Sequence, residues 1–366
     1  MQKHKMCGER SVKFETPPFI VGAASIAGKK EGEGPLGAYF DVIEKDDMFG
    51  GDSWEDAESQ LQKKAAELAI SKANLSPKDI RYLVAGDLLG QLIASSFGVK
   101  SLNIPMFGIY GACSTMGESI SIASMLLDGG FADRVVALTS SHFASAEKQF
   151  RFPLSYGNQR PFASTWTVTG SGAVVLASPD SLPKVSGELS GTSAVKVNSK
   201  KKNGKTSRVR VKGITTGIIT DYGVKDSMNM GACMAPAAGD VIVNNLKDFS
   251  VGVEEYDRII TGDLGEIGRD ILTDILAANG YQPGDRLMDC GMEIFDKEKQ
   301  GTQAGGSGCG CSAITLTGYI LHKLETGEWK KVLFVPTGAL LSPVSFNEGN
   351  SVPGIAHGVV LEGEEV

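Results

Sequence analysis

"GIYGACSTMGESISIASMLLDGG", residues 108–130, places Cys113 where an apolar, glycine-rich stretch turns into a helix. Met116, Ile120, Ala123 and Leu127 fall on one side of that helix, and its other faces carry Ser, Gly and Ala. Side chains that small let neighbours pack closely on several sides, so the pattern predicts a buried helix, ended by Gly129 and Gly130.

The stretch recurs. Cys113 and Ser114 match Cys311 and Ser312 at an offset of 198, each pair leading a helix and then an apolar strand, "RVVALTS" or "VLFVPTG". "LVAGDLLG" at 83–90 returns as "IITGDLGE" at 259–266, setting Gly86-Asp87-Leu88 over Gly262-Asp263-Leu264 at an offset of 176. "TGSGAVVLAS" at 169–178 echoes "GIAHGVVLEG" at 354–363, offset 185, and "VGAASIAGKKE" at 21–31 echoes "TGIITDYGVKD" at 216–226, offset 195. Four matches in one chain order predict a duplicated fold, with loop insertions accounting for the drift.

Each half then reads as the same series. An apolar strand (Ile20 to Ala24; Val211 to Thr220) and a long loop precede a helix. In the first half Ser53 caps that helix, and Ala57, Leu61, Ala65, Leu68 and Ala69 share a face. In the second half it is "PAAGDVIVNNLKDFS", with Pro236 in its first turn. Continuous apolar strands alternating with helices predict α/β layers with sheets buried on both faces. The expected boundaries are 18–180 for the first half, 181–208 for a linker and basic loop, and 209–366 for the second half.

A formal net charge of −7 argues against nucleic acid as a partner. No run approaches the roughly 18 apolar residues of a membrane-spanning helix, and the first residues lack the apolar core of a signal peptide. The expectation is an intracellular protein, or one peripheral to a membrane from the inside. Cys7, Cys113, Cys233, Cys290, Cys309 and Cys311 form no paired CxxC motifs, which fits a reduced compartment. Cys309 and Cys311 read as small residues packed near glycines, and no metal site is expected. In "NSKKKNGKTSRVRVKG", residues 198–213, Asn203-Gly204 signals a hairpin turn inside a solvated loop. Attraction of Lys200, Lys201, Lys202 and Lys205 to a membrane surface is the alternative there.

Together these features resemble the thiolase superfamily, whose fold is two similar halves packed as five αβαβα layers. "YGACSTMGESI" and the terminal "SVPGIAHGVVLEGEEV" are similar to the condensing-enzyme branch that includes the initiating ketoacyl synthases. More specifically, "GIYGACSTMGESI", "SSHFASAEKQFRFPLSYGNQRP" and "TVTGSGAVVL" resemble the stage V sporulation protein AD family of spore-forming bacteria, over the chain from Pro18 onward. That resemblance implies a protein that binds dipicolinic acid, pyridine-2,6-dicarboxylate, and acts in its uptake into the forespore. It further implies a homodimer, peripheral at the inner membrane of the forespore or spore, partnered by other membrane proteins of the same sporulation operon. No cofactor is expected, and the ligand is dipicolinate or its calcium complex.

A cysteine at a helix N-terminus has its thiolate favoured by the helix dipole, so Cys113 meets the first demand of a condensing enzyme. That branch also needs a histidine, and an asparagine or second histidine, to donate to an enolate oxygen. The matching positions are Gly262, beside Asp263, and Gly308, and neither has a side chain that donates. The expectation is a nucleophile position kept in a ligand pocket without catalytic partners. The alternatives are an active acyl-transferring condensing enzyme using Cys113, a cysteine serving only as a small residue in a tight turn, and an adaptor without ligand.

A flat dianion calls for cationic donors and an aromatic wall. Arg151 and Arg160 are candidates for its carboxylates. Phe150, Phe152, Tyr156 and Trp166 could form walls, or a subunit contact, and Thr165, Thr167 and Thr169 could donate. Tyr110 precedes the cysteine turn, His142 follows an apolar strand, and His357 lies in the terminal loop. Asp263 beside a dianion calls for a bridging cation such as calcium. The expected ligand-binding set is Cys113, Tyr110, His142, Arg160, Thr165, Trp166, Thr169, Asp263, Gly308 and His357. His4 and His322 carry no expected role.

Overall fold

The computed structural model describes residues 5–150, 160–183 and 207–365. Residues 198–206 of the basic loop, with Lys200, Lys201, Lys202 and Lys205, lie outside the described residues, as do His4, Arg151, Phe152 and Tyr156; residues 207–213, expected as loop, are strand.

The first half contributes β1 (Phe19–Ala27), β2 (Tyr82–Gly86), β3 (Met106–Gly108), β4 (Arg134–Ser141) and β5 (Gly170–Ala177). They lie side by side in the order β1-β5-β4-β2-β3. The second half contributes β6 (Ser207–Thr216), β7 (Arg258–Thr261), β8 (Leu287–Asp289), β9 (Lys331–Val335) and β10 (Gly354–Glu365). Their order, β6-β10-β9-β7-β8, is the same, strand for strand. Antiparallel pairs Ile20↔Val209 and Phe19↔Arg210 join the halves edge to edge through β1 and β6.

The continuous apolar runs follow from that placement. β5 is buried along its whole length and β4 at all but its first residue, because helices cover both faces. On the outside, α1 (Trp54–Lys72) packs on β1, β4 and β5. Ser53 Oγ caps it by accepting from Asp56 N, and Ala57, Leu61, Ala65 and Ala69 are buried as their spacing predicts. The helix carrying the opening stretch is α2 (Thr115–Asp128), which packs on β2 and β4 and, across the molecule, on β10. After β4 comes α3 (Phe143–Phe150). The second half's outer layer is α4 (Met230–Phe249), which packs on β10 and on α5 (Gly265–Ala278). Its buried helix, α6 (Cys309–Ile314), lies on β4 and β5 of the first half. Thus α2 and α6 occupy the space between the halves.

Three expectations are corrected. A bulge between Ile20 and Gly22 in β1 recurs between Val211 and Gly213 in β6, at the same level against the partner strands. It aligns Gly22 with Gly213 at an offset of 191, so the sequence match at 195 is out of register. The second-half strand accordingly ends at Thr216, not Thr220. The helix α4 begins at Met230, because Asn229 caps Ala232 N with its side chain, and Pro236 lies inside the helix instead of in its first turn. The N-terminal residues are also part of the sheet: Ser11–Lys13 pairs with β6, and the Asp248 carboxylate accepts from the N–H groups of Glu9, Arg10 and Ser11.

Candidate functional site

The turn that carries Cys113 is built on a strained residue. A short 3-10 turn, Ala112–Ser114, leads from β3 into α2. Ala112 has φ 48°, a left-handed conformation that costs a non-glycine residue roughly 1–2 kcal/mol. Bonds from both halves hold it. Its carbonyl accepts from Thr115 Oγ1 at 2.6 Å and from the Cys309 thiol at 2.9 Å, while Ser114 Oγ donates to Gly111 O at 2.7 Å.

Cys113 is buried at this helix start, yet it is no thiolate. Burial first, then the nearby Asp263 carboxylate, push its thiol well above the usual range, against the pull of the Gly308 N–H. Desolvation here works against the pull of the helix dipole on the thiolate.

Asp263 follows β7 and is buried. Its Oδ2 accepts from Ser307 Oγ at 2.7 Å and from Gly308 N at 2.9 Å, and its Oδ1 accepts from Thr337 Oγ1 at 2.8 Å. Burial raises its pKa to about 6, while these donors hold it down. Among the described residues it takes part in no ion pair. Side chains would be crowded at Gly262 and strained at Gly308. A Cβ on Gly262 would lie 3.0 Å from Pro336 Cα, and Gly308 has φ 100° with Ser141 Oγ 2.7 Å from an added Cβ.

Cys113, Tyr110, Glu147, Gly308, Leu88 and Leu341 are among the residues around a cavity of about 30 Å³. That is room for a water or two, far below the roughly 300 Å³ at which small-molecule pockets begin.

A second cluster adjoins it through Glu147. Arg160 Nη2 is 2.9 Å from Glu147 Oε1, with both side chains buried, and Arg160 Nη1 donates to Thr165 O at 2.7 Å. The guanidinium lies 4.9 Å from the ring centre of Trp166, which stacks on Phe143 at 4.2 Å, and the Lys30 ammonium lies 4.3 Å from the same ring.

The expected ligand set therefore divides. Cys113, Tyr110 and Gly308 surround the cavity, and Asp263 stands directly behind Ser307 and Gly308. Arg160, Thr165 and Trp166 form the adjoining cluster. Three residues lie elsewhere. His142 Nε2 bonds to Asp47 O at 2.8 Å and its ring packs against Phe49 and Trp54, so it is a satisfied structural histidine. Thr169 is held by the scaffold: its N–H donates to the Glu31 carboxylate and its hydroxyl accepts from Phe143 N. His357 is buried in β10 opposite Thr216, and burial holds its pKa down to about 4.

Sequence reasoning missed Glu147, Ser307 and Thr337. Ser307 precedes a singled-out glycine and Thr337 lies in the repeated "VLFVPTG", so each stood beside a signal in the sequence. Glu147 sits beside Lys148 in a helical pattern and reads as an ordinary surface acid.

The profile described as Stage V sporulation protein AD (SpoVAD) matches residues 8–362. The chain belongs to the SpoVAD family. Stage V sporulation protein AD of Bacillus subtilis (strain 168) is 42% identical over 358 residues, 98% of each chain. The SpoVAD match begins ahead of Pro18, in keeping with an N-terminal hairpin built into the sheet. In fold, this SpoVAD-family chain is similar to 3-oxoacyl-[acyl-carrier-protein] synthase III from Aquifex aeolicus VF5, at 14% identity, TM-score 0.52, and 94% and 99% coverage of the two chains. It is likewise similar to cerulenin-bound OleA of Xanthomonas campestris, at 16% identity, TM-score 0.54, and 95% and 97% coverage. These likenesses establish the thiolase-like fold, one that enzymes use, within a family of sporulation proteins.

Proposed function

We propose that this SpoVAD-family protein binds dipicolinate in the cleft at Cys113 and serves its uptake into the forespore without condensing chemistry. Asp263 carries this reading. Where an enolate oxygen would need hydrogen-bond donors beside Cys113, the chain holds a buried carboxyl group that itself accepts from Ser307, Gly308 and Thr337, in place of a donating histidine. Gly308 offers only its N–H, which Asp263 already accepts. Cys113 itself is a protonated thiol.

The resemblance to the family supplies the identity of the ligand, and the Arg160 cluster supplies suitable chemistry for it. A guanidinium and an ammonium beside stacked Trp166 and Phe143 suit a flat aromatic ring bearing carboxylates. At its present volume the cavity cannot take such a ring, so binding involves widening between α3, Gly308 and Leu341. Among the described residues no helix is long and apolar enough to cross a membrane, and no group of three or more His, Cys, Asp or Glu is placed to hold a metal. In this proposal the membrane is met through partner proteins, the working unit is a homodimer, and calcium, when present, arrives on the ligand's carboxylates.

Calorimetric titration with dipicolinic acid, with and without calcium, tests the reading beside Cys113→Ala and Arg160→Ala. Saturable binding is expected, weakened about tenfold or more in Arg160→Ala, as loss of a charge-assisted hydrogen bond implies. Absence of binding by the unmodified protein would remove the proposal. Incubation with acyl-CoA followed by intact-mass measurement is the companion experiment: an acyl adduct on Cys113 would restore the acyl-transfer alternative, which rests on the cysteine's place at the start of α2.

A further inference from the structure

A dicarboxylate entering the Cys113 cleft meets acids already in place. Glu147 lines the cavity and Asp263 stands behind its Ser307 and Gly308 wall. Arg160, 2.9 Å from Glu147, balances that first acid. Among the described residues Asp263 has no such counterpart. From the turn before α2 it faces the neutral Cys113 thiol. Ser307 Oγ and Gly308 N–H reach it from the segment before α6, and Thr337 Oγ1 from the short strand Thr337–Ala339 that follows β9 and pairs with β10. Cys311, in α6, and Cys290, after β8, add two more thiols whose burial keeps them protonated. The remaining neighbour, Asp289, is a second buried acid that accepts from Thr261 Oγ1, Leu264 N and Gly265 N.

Further negative charge in this enclosed space is not tolerated uncompensated, and an acid with no cation beside it is the group that neutralises. The described residues offer no cluster for a metal that would do the same work. We infer that the dicarboxylate enters the cleft together with one proton, and that Asp263 is the group that takes it. The inference rests on the reading of the cleft as the dicarboxylate site.

The site is prepared for the exchange. Two of the three donors to Asp263 are hydroxyls, which can turn from donating to accepting, so a neutral Asp263 O–H finds a partner in Ser307 or Thr337 with no heavy atom moving. With the proton on Oδ1, facing Thr337, Ser307 Oγ and Gly308 N–H both continue to donate to Oδ2. Burial already raises the Asp263 carboxyl to about 6, and a neighbouring dianion pushes it further in the same direction. Asp263 thereby becomes a determinant of specificity: it penalises any anion that arrives without the proton, in proportion to that anion's charge.

The test is titration calorimetry of the full chain with dipicolinic acid at pH 7.5 in phosphate and in Tris, whose ionisation enthalpies differ, repeated from pH 6.5 to 8.5. Uptake of about one proton per ligand is expected, with Kd rising about tenfold per pH unit. Asp263→Asn is expected to bind with no proton uptake and a flat Kd. Should that variant fail to fold, Glu147→Gln serves in its place and retains the uptake. Binding by the unmodified protein without proton uptake overturns the inference and leaves the ligand reading standing. Uptake that persists in Asp263→Asn, or vanishes in Glu147→Gln, overturns the assignment to Asp263. Failure of the unmodified protein to bind at any pH is the separate failure of the ligand reading.

Discussion

At Gly308 the backbone excludes the asparagine that a condensing enzyme would carry. With φ at 100° and Ser141 Oγ 2.7 Å from an added Cβ, a side chain there meets both strain and a clash. Gly308→Asn is therefore expected to lower stability by about 1–3 kcal/mol and to leave Cys113 unacylated, as chemical denaturation and intact mass after acyl-CoA exposure would report. A fully stable variant that forms the adduct would contradict both halves of that expectation. Cys113, Tyr110, Asp263 and Gly308 were legible in the sequence because the cysteine motif and the repeated Gly-Asp-Leu fix their places from two directions. His142 and Thr169 were not. Each lies at an end of a strand, where one residue of phase decides between the cleft and the scaffold, and the bonds to Asp47 and Glu31 that settle it come from distant parts of the chain.

Among the elements, the strands announced themselves through unbroken apolar runs and the order of the halves through the repeat. Two boundaries did not. The bulges at Gly22 and Gly213 insert one residue each and so change the alternation on which strand phase is judged. The cap at Asn229 was masked by Pro236, a stronger sign of a helix start that here lies within the helix. The bulge in β1 lets the strand approach α1 closely: a Cβ on Gly22 would lie 2.4 Å from Ala69 O, in that helix. Gly22→Ala is expected to destabilise the protein by about 1–3 kcal/mol, the range for overpacking, and to lower its melting temperature. An unchanged melting temperature would show that β1 and α1 can separate freely.

For the molecule as a whole, buried acids set the response to pH. Burial raises Glu31 to about 7 and Asp263 to about 6, and burial together with the neighbouring Asp87 raises Glu58 strongly. The folded state thus binds more protons than the unfolded chain. The stability these groups lend is fully present below the ordinary carboxyl range, near about pH 4, and is lost as pH rises through their folded values. His142 and His357, held down by burial, act in the opposite sense, but only below about pH 6.5. Between pH 6.5 and 8.5 the melting temperature is therefore expected to fall, and Glu58→Gln to flatten the decline; a rise over that window would refute the account. The paired bulges also bear on where such a molecule came from. A single-residue insertion stands at the same rung of both sheets, opposite Val175–Leu176 in one half and Val360–Leu361 in the other. Inheritance from one ancestral half explains that coincidence with a single event, whereas separate insertions need two. The irregularity is then older than the duplication, and it fixes the register of the two halves where the matches between their residues drift.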